Sequence, residues 1–165
     1  MKLTLRLVLA AAFIGLGVWL WTVLFPGPET IIRKRLIKVA ALVSFTSQEG
    51  QLARIANVQQ LGGYFAPDVE ISVDTPGHPR QTFSGRDELT QAALGARAAL
   101  PGLQVKFVDL NIQLAPDRTS ATVDLTGEAR LAGDRDFFVQ ELKFYFRKSD
   151  GQWLIVRVET VRTLT

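Results

Sequence analysis

Cysteine is absent from this sequence, and histidine occurs once, at His78. Without a thiol, the chain forms no disulfide, no zinc-thiolate site and no cysteine nucleophile. One imidazole disfavours metal centres built on several histidines and catalysis by a Ser-His-Asp triad. His78 stands between Gly77 and Pro79, which is typical of a solvated loop. We therefore expect no metal and no cofactor.

A strong excess of positive charge is also missing from most of the chain. Lys2 and Arg6 are the only charged residues before Pro26, and the chain from there on carries 17 basic and 16 acidic residues. Nucleic-acid-binding proteins present a strongly basic face, so this near balance argues against that class. The sequence contains no internal repeat and no low-complexity tract.

Charge is missing altogether from residues 7–25, which are almost entirely apolar. As a helix, such a run spans roughly 28 Å, close to the thickness of the hydrocarbon layer of a bilayer. Trp19, Trp21 and Phe25 lie at its end, where aromatic residues meet the membrane interface. A cleaved signal peptide would end in small residues, which are absent here. The pattern predicts a basic head at 1–6, a transmembrane anchor at 7–25 and one domain at 26–165.

The orientation of the anchor follows from two opposing signals. Arg33, Lys34, Arg35 and Lys38 follow the apolar run and favour a cytoplasmic domain by the positive-inside rule. A short basic head before one apolar segment is instead typical of an exported, tethered domain. We predict export, with a single-pass protein in the cytoplasmic (inner) membrane and its domain on the periplasmic or extracellular side. The four basic residues are interpreted as a solvated helix face that could also attract anionic headgroups.

The last thirty residues predict a β-hairpin around Asp150-Gly151, a dipeptide that suits a tight two-residue turn. If the pairing continues without interruption, residues whose numbers sum to 301 lie opposite each other, and alternate residues share a face. The predicted core face carries Phe138, Gln140, Leu142, Phe144, Phe146, Trp153, Ile155, Arg157, Glu159 and Val161. The predicted outer face includes Val139, Tyr145, Leu154, Val156 and Val158.

Helical periodicity precedes these strands. Ile32, Leu36, Val39 and Val43 recur at the spacing of one helix face after Pro28. A capping box at 46–49 is predicted to open a second helix with Leu52, Ile55, Ala56 and Gln59 along it. Residues 84–87 are predicted to cap a third helix that ends at Pro101. These segments predict three helices in the first two thirds of the domain.

Alternation of apolar and polar residues dominates the remainder. Strands are predicted at 69–73 and 80–83, and again from Leu103 onward. The alternation changes phase at Phe107-Val108, which indicates a β-bulge. Helices that precede a meandering antiparallel sheet predict an α+β fold.

Three stretches, 64–71, 83–89 and 147–155, together with the order of elements, resemble the nuclear transport factor 2-like superfamily of cystatin-like, SnoaL-like folds. The resemblance covers Glu29 to Leu164. It implies a strongly bent sheet that closes around helices into a cone with a pocket. Members include isomerases, dehydratases and cyclases, assembly factors and domains without known activity. Inner-membrane assembly factors of bacterial secretion systems also share this layout of head, anchor and domain.

The candidate site residues are those predicted at the polar end of the core face. Enzymes with this resemblance use His or Asp in the pocket, and the positions two and four residues after Ile155, which often hold His, are Arg157 and Glu159. Arg157 could bind a carboxylate and Glu159 could act as a base, or the two could form an internal ion pair with Gln140. Tyr64 could line the mouth of the pocket or belong to the core. We predict Tyr64, Gln140, Arg157 and Glu159 as pocket-lining residues and assign no catalytic residue.

The functional expectation is a membrane-tethered, non-catalytic domain that binds a small apolar ligand or a protein partner. One alternative is a pocket enzyme that uses acid–base chemistry through Glu159 and Arg157. Another is a scaffold subunit of an envelope or secretion complex. The apolar outer face of the hairpin predicts a homodimer seam, or cover from another part of the same chain.

Overall fold

The computed structural model describes residues 12–17, 19, 26–74 and 80–161. Three helices and seven strands follow the apolar N-terminal segment. The helices are α1 (Pro28–Val43), α2 (Gln51–Gly62) and α3 (Arg86–Ala99). The strands are β1 (Phe45–Thr46), β2 (Phe65–Val73), β3 (Gln81–Ser84), β4 (Gly102–Leu114), β5 (Ser120–Leu131), β6 (Phe138–Ser149) and β7 (Gln152–Thr160).

All seven strands form one sheet in the order β1-β4-β5-β6-β7-β2-β3. Neighbouring strands are antiparallel except β2 and β7, which run parallel. The prediction of a wholly antiparallel sheet is therefore wrong at one position. Between β2 and β7 the chain passes through β3, α3 and the three long strands, and it re-enters the sheet beside β2 in the same direction. The α+β class itself is confirmed.

The curled sheet encloses an apolar core under helix α1. Ile32, Leu36 and Val39 are at most 2% exposed, as the helical spacing predicts. The sheet side of the core includes large side chains from β5, β6 and β7, namely Val123, Phe144, Phe146, Trp153 and Ile155, and from β2, namely Phe65, Val69 and Ile71. Among the described residues, the only buried polar or charged ones are Arg97 and Thr160. The interior is thus occupied by packed apolar side chains.

The terminal hairpin turns where the sequence predicts. Asp150 and Gly151 both have positive φ, at 49° and 78°, which is the conformation that a tight two-residue turn needs. The predicted pairing holds from Ser149 opposite Gln152 to Phe146 opposite Ile155. Beyond that point one residue, Val156, is inserted into β7, so the pairing shifts by one.

This bulge overturns the predicted orientation of the far half of β7. Tyr145 pairs with Arg157, and Phe144 pairs with Val158. Residues that lie opposite each other share a face, so Arg157 lies on the outer face and Val158 lies in the core. Val158 and Thr160 are 5% and 8% exposed, in agreement with that shift. The inward orientation predicted for Arg157 and Glu159 is wrong, because a shift of one residue exchanges the faces.

Strand β4 contains the second predicted irregularity. Its pairing with β5 shifts between Val108 and Asn111, slightly later than the phase change at Phe107-Val108 suggests. Asp109 has a φ of 54° within this shift. The predicted bulge is confirmed, and the positive φ of one residue allows the change of phase.

Helix α2 presents a different face to the core than its sequence pattern predicts. Leu52 is 85% exposed and Ile55 is 42% exposed, whereas Val58 and Leu61 are 2% exposed. The predicted capping box is also wrong, because Gly50 is the N-cap and no side chain caps the helix. Since α2 packs between α1 and α3 at the edge of the helical layer, a narrow face of Val58 and Leu61 suffices to join it to the core.

The predicted anchor at 7–25 is described only at residues 12–17 and 19, which are helical with exposed side chains. Its other residues and the head at 1–6 lie outside the described residues. No helix in the described parts of the chain is long and apolar enough to cross a membrane. His78 also lies outside the described residues.

Candidate functional site

A groove of about 420 Å³ lies at the end of the sheet where β1, β4 and β5 meet. Half of its lining is apolar and half is polar, and the polar residues include one cation. The lining residues are Ser44, Phe45, Thr46, Leu103, Gln104, Arg130, Leu131 and Ala132. A volume of this size falls within the range of small-molecule sites, about 300–1,000 Å³.

The wall of the groove at Phe45 is fixed by the way α1 ends. Ser44 follows the helix, and its hydroxyl donates a hydrogen bond of 2.8 Å to the carbonyl oxygen of Ala40. Oγ of Ser44 in turn accepts the backbone N–H of Val105 at 2.9 Å. Phe45 then pairs with Leu103 as the first residue of β1. The hydroxyl therefore ties the end of the helix to β4 and places Phe45 beside Leu103.

Close backbone packing also shapes this wall. A Cβ atom at Gly102 would lie 3.1 Å from Cβ of Ala132 and 3.2 Å from the carbonyl oxygen of Phe45. Both distances are shorter than ordinary contacts between such atoms. Only glycine allows β1, β4 and the turn after β5 to approach this closely.

Arg130 supplies the cation at the polar side of the groove. Its Nη2 donates a hydrogen bond of 2.7 Å to Oε1 of Gln104, which lies opposite it on β4. Its Cζ lies 4.8 Å from the centre of the Phe137 ring. A guanidinium group has five N–H donors, so those not used on Gln104 can bind an anionic group. The groove thus combines an apolar surface with an oriented anion-binding side chain.

A buried ion pair lies behind Phe45. The guanidinium of Arg97 is 3.3 Å from Oε2 of Glu49, and its Cζ lies 5.1 Å from the centre of the Phe45 ring. Arg97 also donates a hydrogen bond to the carbonyl oxygen of Leu42 near the end of α1. Asn57 donates to the other oxygen of Glu49 at 2.6 Å. Residues from all three helices are therefore joined at the back of the groove.

A second groove, of about 340 Å³, lies between β4, β5 and β6 and is acidic. Three carboxylates line it, together with a threonine and apolar residues: Asp109, Asp124, Glu141, Thr126, Leu125, Leu142 and Val161. Nζ of Lys143 lies 3.2 Å from Asp124, and this carboxylate raises the pKa of the lysine. Within the described ranges, no group of three or more His, Cys, Asp or Glu residues could hold a metal ion.

The structure separates the four predicted pocket residues. Arg157 and Glu159 lie on the outer face, where Nε of Arg157 is 3.8 Å from Glu70 and 3.7 Å from Glu159. Gln140 lies opposite Gly127 on the inner face, as predicted, and is half-buried. Neither groove is lined by any of the four predicted residues.

Tyr64 packs against the edge of the core between α2 and β2. Its carbonyl oxygen accepts the N–H of Ile155 at 2.9 Å, and its ring centre lies 4.8 Å from Cζ of Arg35. Partial burial lowers the pKa of Arg35, and Tyr64 opposes that shift. Tyr64 thus has a packing role in this structure.

The bulge in β7 also changes which residues lie on the outer face, where the dimer seam is predicted. Val158 is buried in the core, and Tyr145 donates a hydrogen bond of 2.7 Å to Glu159. The outer face therefore carries a polar network in place of a continuous apolar surface. A homodimer through this face stays a prediction.

Sequence reasoning missed the residues that build the groove. Arg97 continues the spacing of four residues from Leu89 and Ala93, and this spacing could have indicated a helical residue turned inward. Phe45 and Arg130 carry no comparable local signal. They meet because β1 pairs with β4 and β4 with β5.

The sequence matches no protein-family model and no curated protein. Solved structures do match. A nuclear transport factor 2-like protein of unknown function from Pseudomonas putida KT2440 is 14% identical, with a TM-score of 0.63 over 83% of this chain and 87% of that chain. A protein of unknown function with a cystatin-like fold from Nostoc punctiforme is 16% identical, with a TM-score of 0.60 over 82% and 92%.

A third similar structure, from Novosphingobium aromaticivorans, carries a provisional assignment as a scytalone dehydratase. It is 19% identical to this chain, with a TM-score of 0.58 over 82% of this chain and 84% of that chain. Identities of this size establish the fold alone. The chain has the nuclear transport factor 2-like, cystatin-like fold that the sequence resemblance implies.

Proposed function

We propose that this domain is a non-catalytic binding module that holds an amphipathic small molecule in the groove at β1, β4 and β5. The observation that carries the proposal is that Arg130 lines the same groove as the apolar residues Leu103 and Leu131. The apolar body of the ligand would bury the exposed part of Leu103 and Leu131, and its anionic end would bind the guanidinium.

The packed interior supports a binding role over the pocket-enzyme alternative. Trp153 and Phe146 occupy the centre of the curled sheet at 2% and 1% exposure. Glu159 and Arg157, the residues expected to perform acid–base chemistry, lie on the opposite face. A ligand would therefore bind at the edge of the sheet where β1, only two residues long, leaves most of one side of β4 without a neighbouring strand.

The binding experiment uses anilinonaphthalene sulfonate, a fluorescent probe with apolar rings and one anionic group. We expect Leu131→Glu to abolish the fluorescence increase, because it places a carboxylate in the apolar wall. Arg130→Gln should weaken binding by about tenfold, the value of one charge-assisted contact. Arg147→Gln is the matched control, since Arg147 is exposed far from the groove and pairs with Asp68. Unchanged binding in Leu131→Glu would refute the groove as the site.

The proposal includes a membrane tether at residues 7–25 and an exported domain. The exposed, apolar side chains of the described helical residues support it: Phe13 is 74% exposed, Ile14 68% and Trp19 60%. Alkaline phosphatase and a fluorescent protein that folds only in the cytoplasm are fused separately to Thr165. We expect phosphatase activity and a membrane-bound product. Fluorescence without phosphatase activity would reverse the orientation, and a soluble, processed product would exclude the anchor.

A further inference from the structure

The charge of the domain is distributed unevenly between its helical side and the rest. Residues 28–67, which comprise α1, β1, α2 and the start of β2, contain five basic residues and two acidic residues. The rest of the chain from Pro26 onward contains twelve basic and fourteen acidic residues. The near balance of the whole domain therefore conceals a basic helical side.

Three cations on the exposed face of α1 have no carboxylate partner among the described residues. Arg33, Lys34 and Lys38 are exposed and form no ion pair within the part of the chain that the structure describes. Glu49, one of the two carboxylates of residues 28–67, is held by Arg97 and Asn57 and is 11% exposed. The other, Glu29, is exposed in the first turn of α1 and forms no ion pair with these cations in the part of the chain that the structure describes.

Apolar side chains project from the same helical side. Ile37 lies between the cations of α1 and is 57% exposed. Leu52 on α2 is 85% exposed, and Ala56, one turn further along α2, is also exposed. Helices α1 and α2 pack against each other, so Leu52 lies on the helix next to that of the cations. Unpaired cations beside projecting aliphatic side chains are the combination with which a peripheral surface enters the headgroup region of a bilayer.

We propose that the exposed faces of α1 and α2 form a docking surface for an anionic lipid bilayer. Arg33, Lys34 and Lys38 bind lipid headgroups, and Leu52 with Ile37 enters the headgroup boundary. Each Lys or Arg near an anionic surface strengthens binding by about fivefold, so the three together contribute about a hundredfold. The inference depends neither on the ligand groove nor on the tether, since a tethered domain need not lie on the membrane.

The test uses the full chain, whose lack of cysteine allows one label at a chosen position. Leu52→Cys carries a nitroxide in one sample, and Ser149→Cys, at the turn between β6 and β7, carries it in another. Each protein is mixed with vesicles of phosphatidylcholine alone or with about a third phosphatidylglycerol, added for its negative charge. Accessibility to an aqueous nickel complex is measured by electron paramagnetic resonance.

We expect the label at position 52 to be shielded from nickel on anionic vesicles and to be accessible on neutral ones. The label at 149 should stay accessible on both. In the Leu52→Cys background, the triple variant Arg33→Gln, Lys34→Gln, Lys38→Gln should restore accessibility at position 52. The control Lys106→Gln, Arg135→Gln, Lys148→Gln removes the same charge from exposed strand and turn positions and should leave the shielding intact.

Three results would overturn the proposal: an accessible label at position 52 on anionic vesicles, equal shielding on both kinds of vesicle, or shielding that survives the α1 triple variant. Charge-dependent binding to polyglutamate without any binding to anionic vesicles would also overturn it, in favour of an acidic protein partner. Thermal melting of the triple variant at the parent temperature confirms that exposed substitutions leave the fold unchanged. The probe titration of the groove is unaffected by these outcomes.

Discussion

The hydroxyl of Tyr145 donates a hydrogen bond of 2.7 Å to the carboxylate of Glu159 on the outer face of the sheet. These two residues are on adjacent strands, and their contact exists because the bulge at Val156 moves Glu159 to the face of Tyr145. The hydrogen bond to Glu159, and then partial burial, raise the pKa of Tyr145 above its ordinary value. The pair therefore reports directly on the register of the last strand.

The first prediction concerns stability at high pH. Because the pKa of Tyr145 is higher in the folded chain than in the unfolded one, its protonated form stabilises the fold. This contribution is fully present below about pH 10, the unfolded pKa of tyrosine, and is lost as the pH rises through the folded value. Urea unfolding between pH 8 and 11 should show a decline that is smaller in Tyr145→Phe. The control Tyr64→Phe should keep the decline of the parent; equal declines in both variants would contradict the assignment.

The second prediction concerns Arg157 and Glu159, which the sequence pattern predicts to face the core. Arg157 is exposed and Glu159 is only half-buried, so Glu159→Gln and the double variant Arg157→Leu/Glu159→Leu should each change the free energy of unfolding by less than about 1 kcal/mol. An inward pair would cost about 3–5 kcal/mol on loss of one partner. Urea unfolding measures the change in the free energy of unfolding. A loss of about 3 kcal/mol in Glu159→Gln would mean that Glu159 faces the core, as the sequence pattern predicts.

The third prediction concerns the buried cation. Arg97→Leu removes the partner of Glu49 and of the Leu42 carbonyl, so it should lower the free energy of unfolding by about 2–4 kcal/mol. Arg147→Leu, whose salt bridge to Asp68 is exposed, should cost less than about 1 kcal/mol. Chemical denaturation of both variants provides the comparison. Similar costs for the two would mean that the network behind Phe45 does not hold the helices together.

The fourth prediction concerns glycine at the groove. Gly102→Ala should lower the free energy of unfolding by about 1–3 kcal/mol, because its Cβ would press on Ala132 and on the backbone of Phe45. Probe binding in the groove should weaken as the wall shifts. Gly95→Ala is the matched control, since nothing lies within 4 Å of its Cβ in α3, and it should stabilise the fold by about 1 kcal/mol. A Gly102→Ala variant as stable as the parent would show that Ala132 and the backbone of Phe45 can move to make room for the Cβ atom.

Local chemistry allowed much of the fold to be read from the sequence. Asp150-Gly151 adopts positive φ wherever it joins two strands, and the spacing of Ile32, Leu36 and Val39 places them on one helix face. These features depend on neighbours within a few residues. The order of elements then sufficed for the α+β class and for the fold that the similar structures share.

The site and the faces of β7 and α2 depend on contacts between distant segments. Val156 can be inserted into β7 because β7 satisfies two partners at once, β6 antiparallel and β2 parallel, whose pairings each shift near it. Leu52 is left exposed because α2 turns the face of Val58 and Leu61 to the core. Phe45 and Arg130, 85 residues apart in the chain, line one groove through strand pairing. The sequence alone determined the turn, the helix faces with local periodicity and the class of fold. Only the tertiary structure decided which charges face outward and where a ligand can bind, because one inserted residue reverses every side chain after it.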